Sequence, residues 1–130
     1  MTETYGVVVG AGSLRSADEG AWHIAHRWTP QGVSVEGDFT GAHLVHIAVA
    51  GCVLNDLYRE SARLGVELDG VRVSAGGDFD ADWHSTGIDY AVELDSAAES
   101  ALLAELLAVV DEVAEIPRAV RRGAQVRRVG

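Results

Sequence analysis

GAHLVHIAVAGCVLNDLYRESARL, residues 41–64, is the longest helix-like segment of the chain. Its first half is apolar on nearly every side, and a helix that is apolar all round is normally surrounded by protein. Its second half is amphipathic, because polar and charged residues there leave an apolar stripe of Leu57, Tyr58 and Leu64. Gly65 follows, a residue that readily ends a helix. The segment therefore predicts one long central helix whose first half is buried.

A helix of this length is hard for a small chain to cover. At 1.5 Å per residue, residues 41–64 extend for about 36 Å. The chain has 130 residues, which suffice for one domain with a single core. Because such a domain has difficulty surrounding the helix alone, we predict that a second copy covers part of it in a homodimer.

The segments on either side of the helix show the alternation of apolar and polar residues that is typical of strands. Before the helix, within residues 1–40, strands are predicted at 4–9, 22–28 and 33–35. After it, within residues 66–94, strands are predicted at 66–68, 71–75 and 88–94. Runs of strands interrupted by helices are typical of the α+β class.

The end of the chain predicts a second helix and a last strand. The sequence SAAE at 96–99 has the spacing of a capping box, and apolar residues follow it at helical intervals. Pro117 ends this predicted helix, which covers 96–116, and a last strand is predicted at 124–129. We therefore expect the whole chain, 1–130, to form a single domain.

The composition argues against several classes of function. Ten arginines, no lysine and twenty acidic residues give a formal net charge of −10, which disfavours nucleic acid and anionic membranes as partners. The one cysteine cannot form an intramolecular disulfide. The first residues lack the basic start and apolar core of a signal peptide, and no apolar run approaches the roughly 20 residues of a membrane-spanning helix. We therefore expect a cytoplasmic protein.

Two longer segments resemble a known family. They are GAHLVHIAVAGCVLNDLYRESARLGVELDGVRVSAGGDFD at 41–80 and IDYAVELDSAAESALLAELLAVVDEVAEIPRAVRRGAQV at 88–126. The first resembles the central segment of the OsmC/Ohr family (osmotically inducible protein C and organic hydroperoxide resistance protein). The second resembles that family's C-terminal strand, helix, proline-containing turn and final strand. The resemblance implies an OsmC-like two-layer α+β fold with antiparallel sheets and a long buried central helix, in an intertwined homodimer.

The resemblance also implies a chemistry, the thiol-dependent reduction of organic hydroperoxides. Cys52 stands at the position of the peroxidatic cysteine, and Arg15 matches the arginine that holds its thiolate. Ile116 replaces the resolving cysteine, so an external thiol reductant would have to reduce the oxidised Cys52. The family's activating glutamate has no match, since Ala42 and His43 stand at its position.

The residues near Cys52 leave a second interpretation open. A peroxidatic cysteine needs cationic or hydrogen-bonding neighbours that favour its thiolate. On a helix, however, Cys52 lies beside Asp56, whose charge opposes a second negative charge. Arg59 is expected to pair with Asp56 rather than with the sulfur. On the residues alone, Cys52 is a small buried side chain, and His43 is a candidate hydrogen-bonding or acid–base group near it.

Two functions therefore remain open. The first is a one-Cys organic hydroperoxide reductase of the oxidative stress response, with Cys52, Arg15 and His43 as its catalytic residues. The second is a divergent dimer that has lost this activity and binds a small hydrophobic ligand. We predict no cofactor and no metal site, because His43, His46 and Cys52 point in different directions around the helix.

Overall fold

A computed structural model describes residues 5–129, so Thr4, which opens the first predicted strand, lies outside the described residues. The strands are β1 (Val7–Gly12), β2 (Trp22–Ile24), β3 (Val33–Glu36), β4 (Gly70–Phe79) and β5 (Ser85–Asp95). The helices are α1 (Gly41–Leu64), α2 (Ser100–Val113) and α3 (Glu115–Arg122). The predicted α+β class is confirmed.

The five strands form one antiparallel sheet in the order β2-β3-β1-β4-β5. In its middle strand, Val9 lies between Val35 of β3 and Val73 of β4. These three side chains are buried, because paired residues of neighbouring strands point to the same face and α1 packs against β1 and β4 there. The helices thus form a second layer on one face of the sheet.

The long helix has the bounds that the sequence predicts. Its first turn is capped by Thr40, whose side chain accepts a hydrogen bond from the backbone N–H of His43 at 3.2 Å. It ends at Gly65, whose φ of 71° is left-handed and suits a residue without a Cβ. The buried residues of α1 are His46, Val49, Ala50, Val53, Leu54, Asp56, Leu57, Glu60 and Ser61.

The first half of α1 is less buried than predicted. Leu44, Val45 and Ile47 are only partly covered, and Ala48 is exposed. A single chain therefore does not bury this half on every side, because its other elements cover only part of the helix circumference there. These residues leave an apolar surface on α1, which we call the open side of α1: Leu44, Val45 and Ala48.

The second helix starts and ends differently from the prediction of 96–116. The predicted capping box is wrong, because the Oγ of Ser96 donates to the carbonyl of Glu67 at 2.6 Å and accepts from Ala98 at 3.1 Å. Glu99 stands at the N-cap of α2 without a side-chain hydrogen bond. Pro117 does not end a helix but lies in the first turn of α3, where a missing N–H costs nothing.

Three predicted strands are also corrected. Residues 66–68 are not a strand, because the N–H of Val66 bonds to the carbonyl of Ser61 and closes the helix end. The strand predicted at 22–28 stops at 24, where its pairing with β3 ends. Residues 124–129 pair with no strand of the described chain, and Val126 is 96% exposed there.

None of the helices within residues 5–129 combines the length and the apolar character that crossing a membrane requires.

Candidate functional site

Cys52, the sole cysteine of the sequence, lies near the middle of α1 and lines an open cleft of about 490 Å³. Its apolar walls are formed by Trp28 from the loop after β2, Ile47 from α1 and Ile116 from α3. Polar side chains complete the lining: Asn55, Asp56, Arg59 and Glu115. The side chain of Cys52 is half-buried. Its thiol therefore borders a surface that an apolar molecule can contact.

The start of α3 supplies two polar contacts of the Cys52 sulfur. The backbone N–H of Ile116 donates to Sγ at 3.5 Å, and Sγ donates to Oε1 of Glu115 at 3.8 Å. These groups reach the sulfur because the chain turns at Ala114, between α2 and α3, and α3 packs back against α1. Ile116, which stands at the resolving position in the family resemblance, thus does lie beside Cys52.

One arginine beside Cys52 is shared among three carboxylates. The guanidinium of Arg59 lies 3.3 Å from Asp56, 3.2 Å from Glu60 and 3.0 Å from Glu115. Asp56 and Glu60 are buried, and Arg59 is 39% exposed. The expected pairing of Arg59 with Asp56 is confirmed. The arginine that lines the cleft with Cys52 is therefore already engaged with carboxylates.

These contacts disfavour a thiolate. Burial raises the pKa of the Cys52 thiol, the Ile116 amide lowers it, and the charges of Asp56 and Glu115 raise it, so that the net pKa is raised. Burial and the hydrogen bond to Glu115 raise the pKa of Asp56 to about 6. The backbone N–H of Glu115 and the Arg59 guanidinium lower the pKa of the Glu115 carboxyl to about 2. At neutral pH the cleft therefore holds a protonated thiol beside two carboxylates.

A single chain does not bring Arg15 or His43 to Cys52. Arg15 lies after β1, where its Nη2 donates to the side-chain oxygen of Gln31 at 2.9 Å. His43 lies in the first turn of α1, with Nδ1 2.6 Å from the hydroxyl of Thr40, about 13 Å from Cys52 along the helix axis. Neither residue lines the cleft.

Sequence reasoning missed several residues of the site. Glu115 could have been found from its neighbour Ile116, because a residue that contacts Cys52 brings the preceding side chain close as well. Asn55 could be placed beside Cys52 from its spacing of three residues on the helix, whereas His26 had no such signal, because its segment is predicted as a strand. In the structure, His26 Nε2 lies 2.9 Å from Oδ1 of Asn55 and ties the loop after β2 to α1.

Within residues 5–129, two groups of side chains have donor atoms close enough to share a cation. One is Cys52, Asp56 and Glu115, whose candidate ligand atoms lie within 4.8 Å of one another. There, the guanidinium of Arg59 already supplies a positive charge to both carboxylates. The other group lies in the β4–β5 connection and is fully exposed: Asp80, Asp82 and His84. Exposed acidic groups of this kind are common without a metal ion, so neither group supports a metal site by itself.

The chain is an α+β domain, because its helices form a layer on one antiparallel sheet. Its candidate site is a half-buried thiol that borders a cleft. The chain belongs to the OsmC-like protein family, which matches residues 34–128. None of the curated proteins matches the sequence.

The fold has a counterpart among solved structures. It is similar to the crystal structure of an OsmC-like hydroperoxide resistance protein from Jannaschia sp. CCS1. The two chains are 13% identical, with a TM-score of 0.50, and the similarity covers 96% of this chain and 93% of the other. At this identity the similarity shows the fold, and the predicted OsmC-like fold is confirmed.

Proposed function

We propose that this protein is a one-Cys, thiol-dependent organic hydroperoxide reductase with Cys52 as its peroxidatic residue. The observation that carries the proposal is the placement of the Cys52 sulfur. It borders an open cleft with apolar walls and accepts a hydrogen bond from the backbone N–H of Ile116. An apolar hydroperoxide fits such a cleft, and a donor aimed at sulfur favours its thiolate.

The reaction needs only this sulfur and an external thiol. The thiolate of Cys52 attacks the outer peroxide oxygen, the O–O bond breaks, and the alkoxide takes a proton from water to leave as an alcohol. The resulting sulfenic acid condenses with a reductant thiol and releases water, which forms a mixed disulfide. A second reductant thiol then attacks that disulfide and restores Cys52.

We further propose that the active form is a cytoplasmic homodimer. The open side of α1 (Leu44, Val45 and Ala48) presents apolar side chains that a second copy would cover. Arg15 and His43 do not reach Cys52 within one chain, so their proposed catalytic roles require the partner subunit. A cation supplied in this way would offset the raised pKa of the thiol.

The test is the consumption of cumene hydroperoxide in the presence of dithiothreitol. We expect consumption by the natural protein and its loss in Cys52→Ser, which removes the only sulfur nucleophile and changes little else. Ala62→Ser, an exposed substitution on the same helix, is the control. Unchanged turnover in Cys52→Ser would exclude this function.

A specific observation favours a second candidate function, the binding of a small hydrophobic ligand without peroxidase chemistry. The thiol has a raised pKa and two carboxylate neighbours, Asp56 and Glu115, which is the opposite of an activated cysteine. For this function an apolar ligand should raise the Tm of the protein equally in the natural chain and in Cys52→Ser. The absence of any such shift over a panel of apolar ligands would count against it.

A further inference from the structure

We infer that Asn55, held in place by His26, donates a hydrogen bond to the leaving oxygen of the hydroperoxide. The inference rests on the proposed function, since it assigns a new residue to the same site. Asn55 lies three residues after Cys52 on α1, so the two side chains are neighbours on one face of the helix. Both line the cleft.

The orientation of the Asn55 amide follows from its contact with His26. The Nε2 of His26 lies 2.9 Å from Oδ1 of Asn55 and is the donor there, because an amide oxygen can only accept. The His26 Nδ1 lies 2.8 Å from the hydroxyl oxygen of Thr29, which in turn donates to the carbonyl of Gly32 at 3.3 Å. Both ring nitrogens of His26 therefore have a hydrogen-bond partner. The contact with Nε2 also occupies the amide oxygen, so the Nδ2 of Asn55 carries both remaining donors. That nitrogen has no protein acceptor within residues 5–129.

The His26 ring is itself well supported. It packs at 5.8 Å from the ring of Tyr58 on α1 and at 5.5 Å from the ring of Trp28, which forms a wall of the cleft. A ring fixed by two aromatic contacts and two hydrogen bonds holds its partner amide in one orientation. His26 is therefore a positioning residue, and Asn55 is the group that would touch the substrate.

The chemistry needs a hydrogen-bond donor at the departing oxygen. As the Sγ–O bond forms and the O–O bond breaks, negative charge builds up on the inner peroxide oxygen. Asp56 and Glu115 are hydrogen-bond acceptors that would repel this charge, and Arg59 is engaged with carboxylates. The amide of Asn55 carries free N–H groups in the same cleft, about one helical turn from Cys52, and can stabilise the departing oxygen as an oxyanion hole does.

The experiment compares two reactions of the same sulfur. Oxidation of Cys52 by cumene hydroperoxide is followed by mass spectrometry of a trapped sulfenic adduct, and alkylation by iodoacetamide reports the thiolate and the intact cleft. In Asn55→Ala we expect oxidation to slow by about ten- to a hundredfold, because one donor is lost in a partly solvated site. Alkylation should stay within about twofold, because the thiol and its charged neighbours are unchanged.

Two further variants test the role of His26. His26→Gln keeps an N–H donor and should retain most of the oxidation rate, whereas His26→Ala should lose part of it with little change in alkylation. Equal oxidation of Asn55→Ala and the natural protein would overturn the inference while the proposed function stands. A natural protein that is alkylated but never oxidised would overturn both.

Discussion

The two halves of α1 are buried in the opposite order to that expected from their sequences. Residues 41–52 are nearly all apolar, yet His46, Val49 and Ala50 are the only buried members. Residues 53–64 contain acids and arginines, yet six of them are buried, including Asp56 and Glu60. Apolar composition therefore shows which segments of a helix can be buried. The packing of other elements against the helix decides which of them are buried.

The buried charges of the second half show how this is possible. Asp56 and Glu60 contact the guanidinium of Arg59, and Glu60 also contacts Arg63 at 2.9 Å. Buried carboxylates are tolerated when cations and hydrogen bonds compensate their desolvation. The first half has no buried carboxylates, and its open side leaves apolar side chains uncovered within a single chain. Four predictions test this difference.

The largest expected effect is the loss of folding stability on substituting a buried residue in the second half of α1, residues 53–64. Leu57 is fully buried, so Leu57→Ala should lower the free energy of unfolding by about 2–5 kcal/mol. The same substitution at the partly covered Leu44 should cost under about 1.5 kcal/mol. Urea denaturation of both variants, at a protein concentration low enough to keep the proposed dimer dissociated, measures the difference. Equal losses would mean that the two halves are buried alike in solution.

The next effect concerns the ion pairs of the second half. Arg59→Ala removes a positive charge that offsets the desolvation of Asp56 and Glu60. It should lower the free energy of unfolding at pH 7 by about 1–2 kcal/mol, less than for a fully buried ion pair, because Arg59 is 39% exposed. Because the pKa of Asp56 is raised to about 6, the loss should shrink at pH 5, where Asp56 takes up a proton. Arg63→Ala, at a 74% exposed side chain, is the control and should cost less than about 0.5 kcal/mol. An equal or larger loss at pH 5 would contradict this account.

A third effect belongs to the first half. Val45→Glu places a charge on the open side of α1, and it should weaken the proposed dimer by about tenfold or more, because an interface would bury that charge. Ala62→Glu adds the same charge at an exposed position of the second half and should leave the dimer intact. Sedimentation velocity over a range of concentrations gives the association constants. A dimer that tolerates Val45→Glu would place its interface elsewhere.

The smallest expected effect is on the reactivity of the Cys52 thiol, which lies where the two halves of α1 meet. Glu115→Gln removes a negative charge near Sγ, so the pKa of Cys52 should fall and alkylation at pH 7 should become roughly two- to fivefold faster. The pH profile of iodoacetamide alkylation measures this change. Asp111→Asn, on α2 and outside the cleft, should leave the profile unchanged. Slower alkylation in Glu115→Gln would show that Glu115 assists the thiolate.

The residues of the site show which contacts could be predicted from the sequence. The pairing of Arg59 with Asp56 could be predicted, because both lie on one helix three residues apart. The contact of Glu115 with Cys52 could not be derived from spacing, because it depends on how α3 packs against α1. Only the family resemblance, which matches Ile116 to the resolving position, pointed to this segment. The His26–Asn55 contact was hidden for the same reason, since it joins a loop to a distant helix.

The sequence by itself determined the ends of α1 and the α+β class. Thr40 and Gly65 act on their own backbone neighbours, and strand alternation is a local pattern, so neither needs the rest of the molecule. Tertiary structure alone decided which half of α1 is buried, that residues 124–129 find no partner strand in the described chain, and which charges face Cys52. These depend on packing between distant segments, which local backbone preferences do not encode.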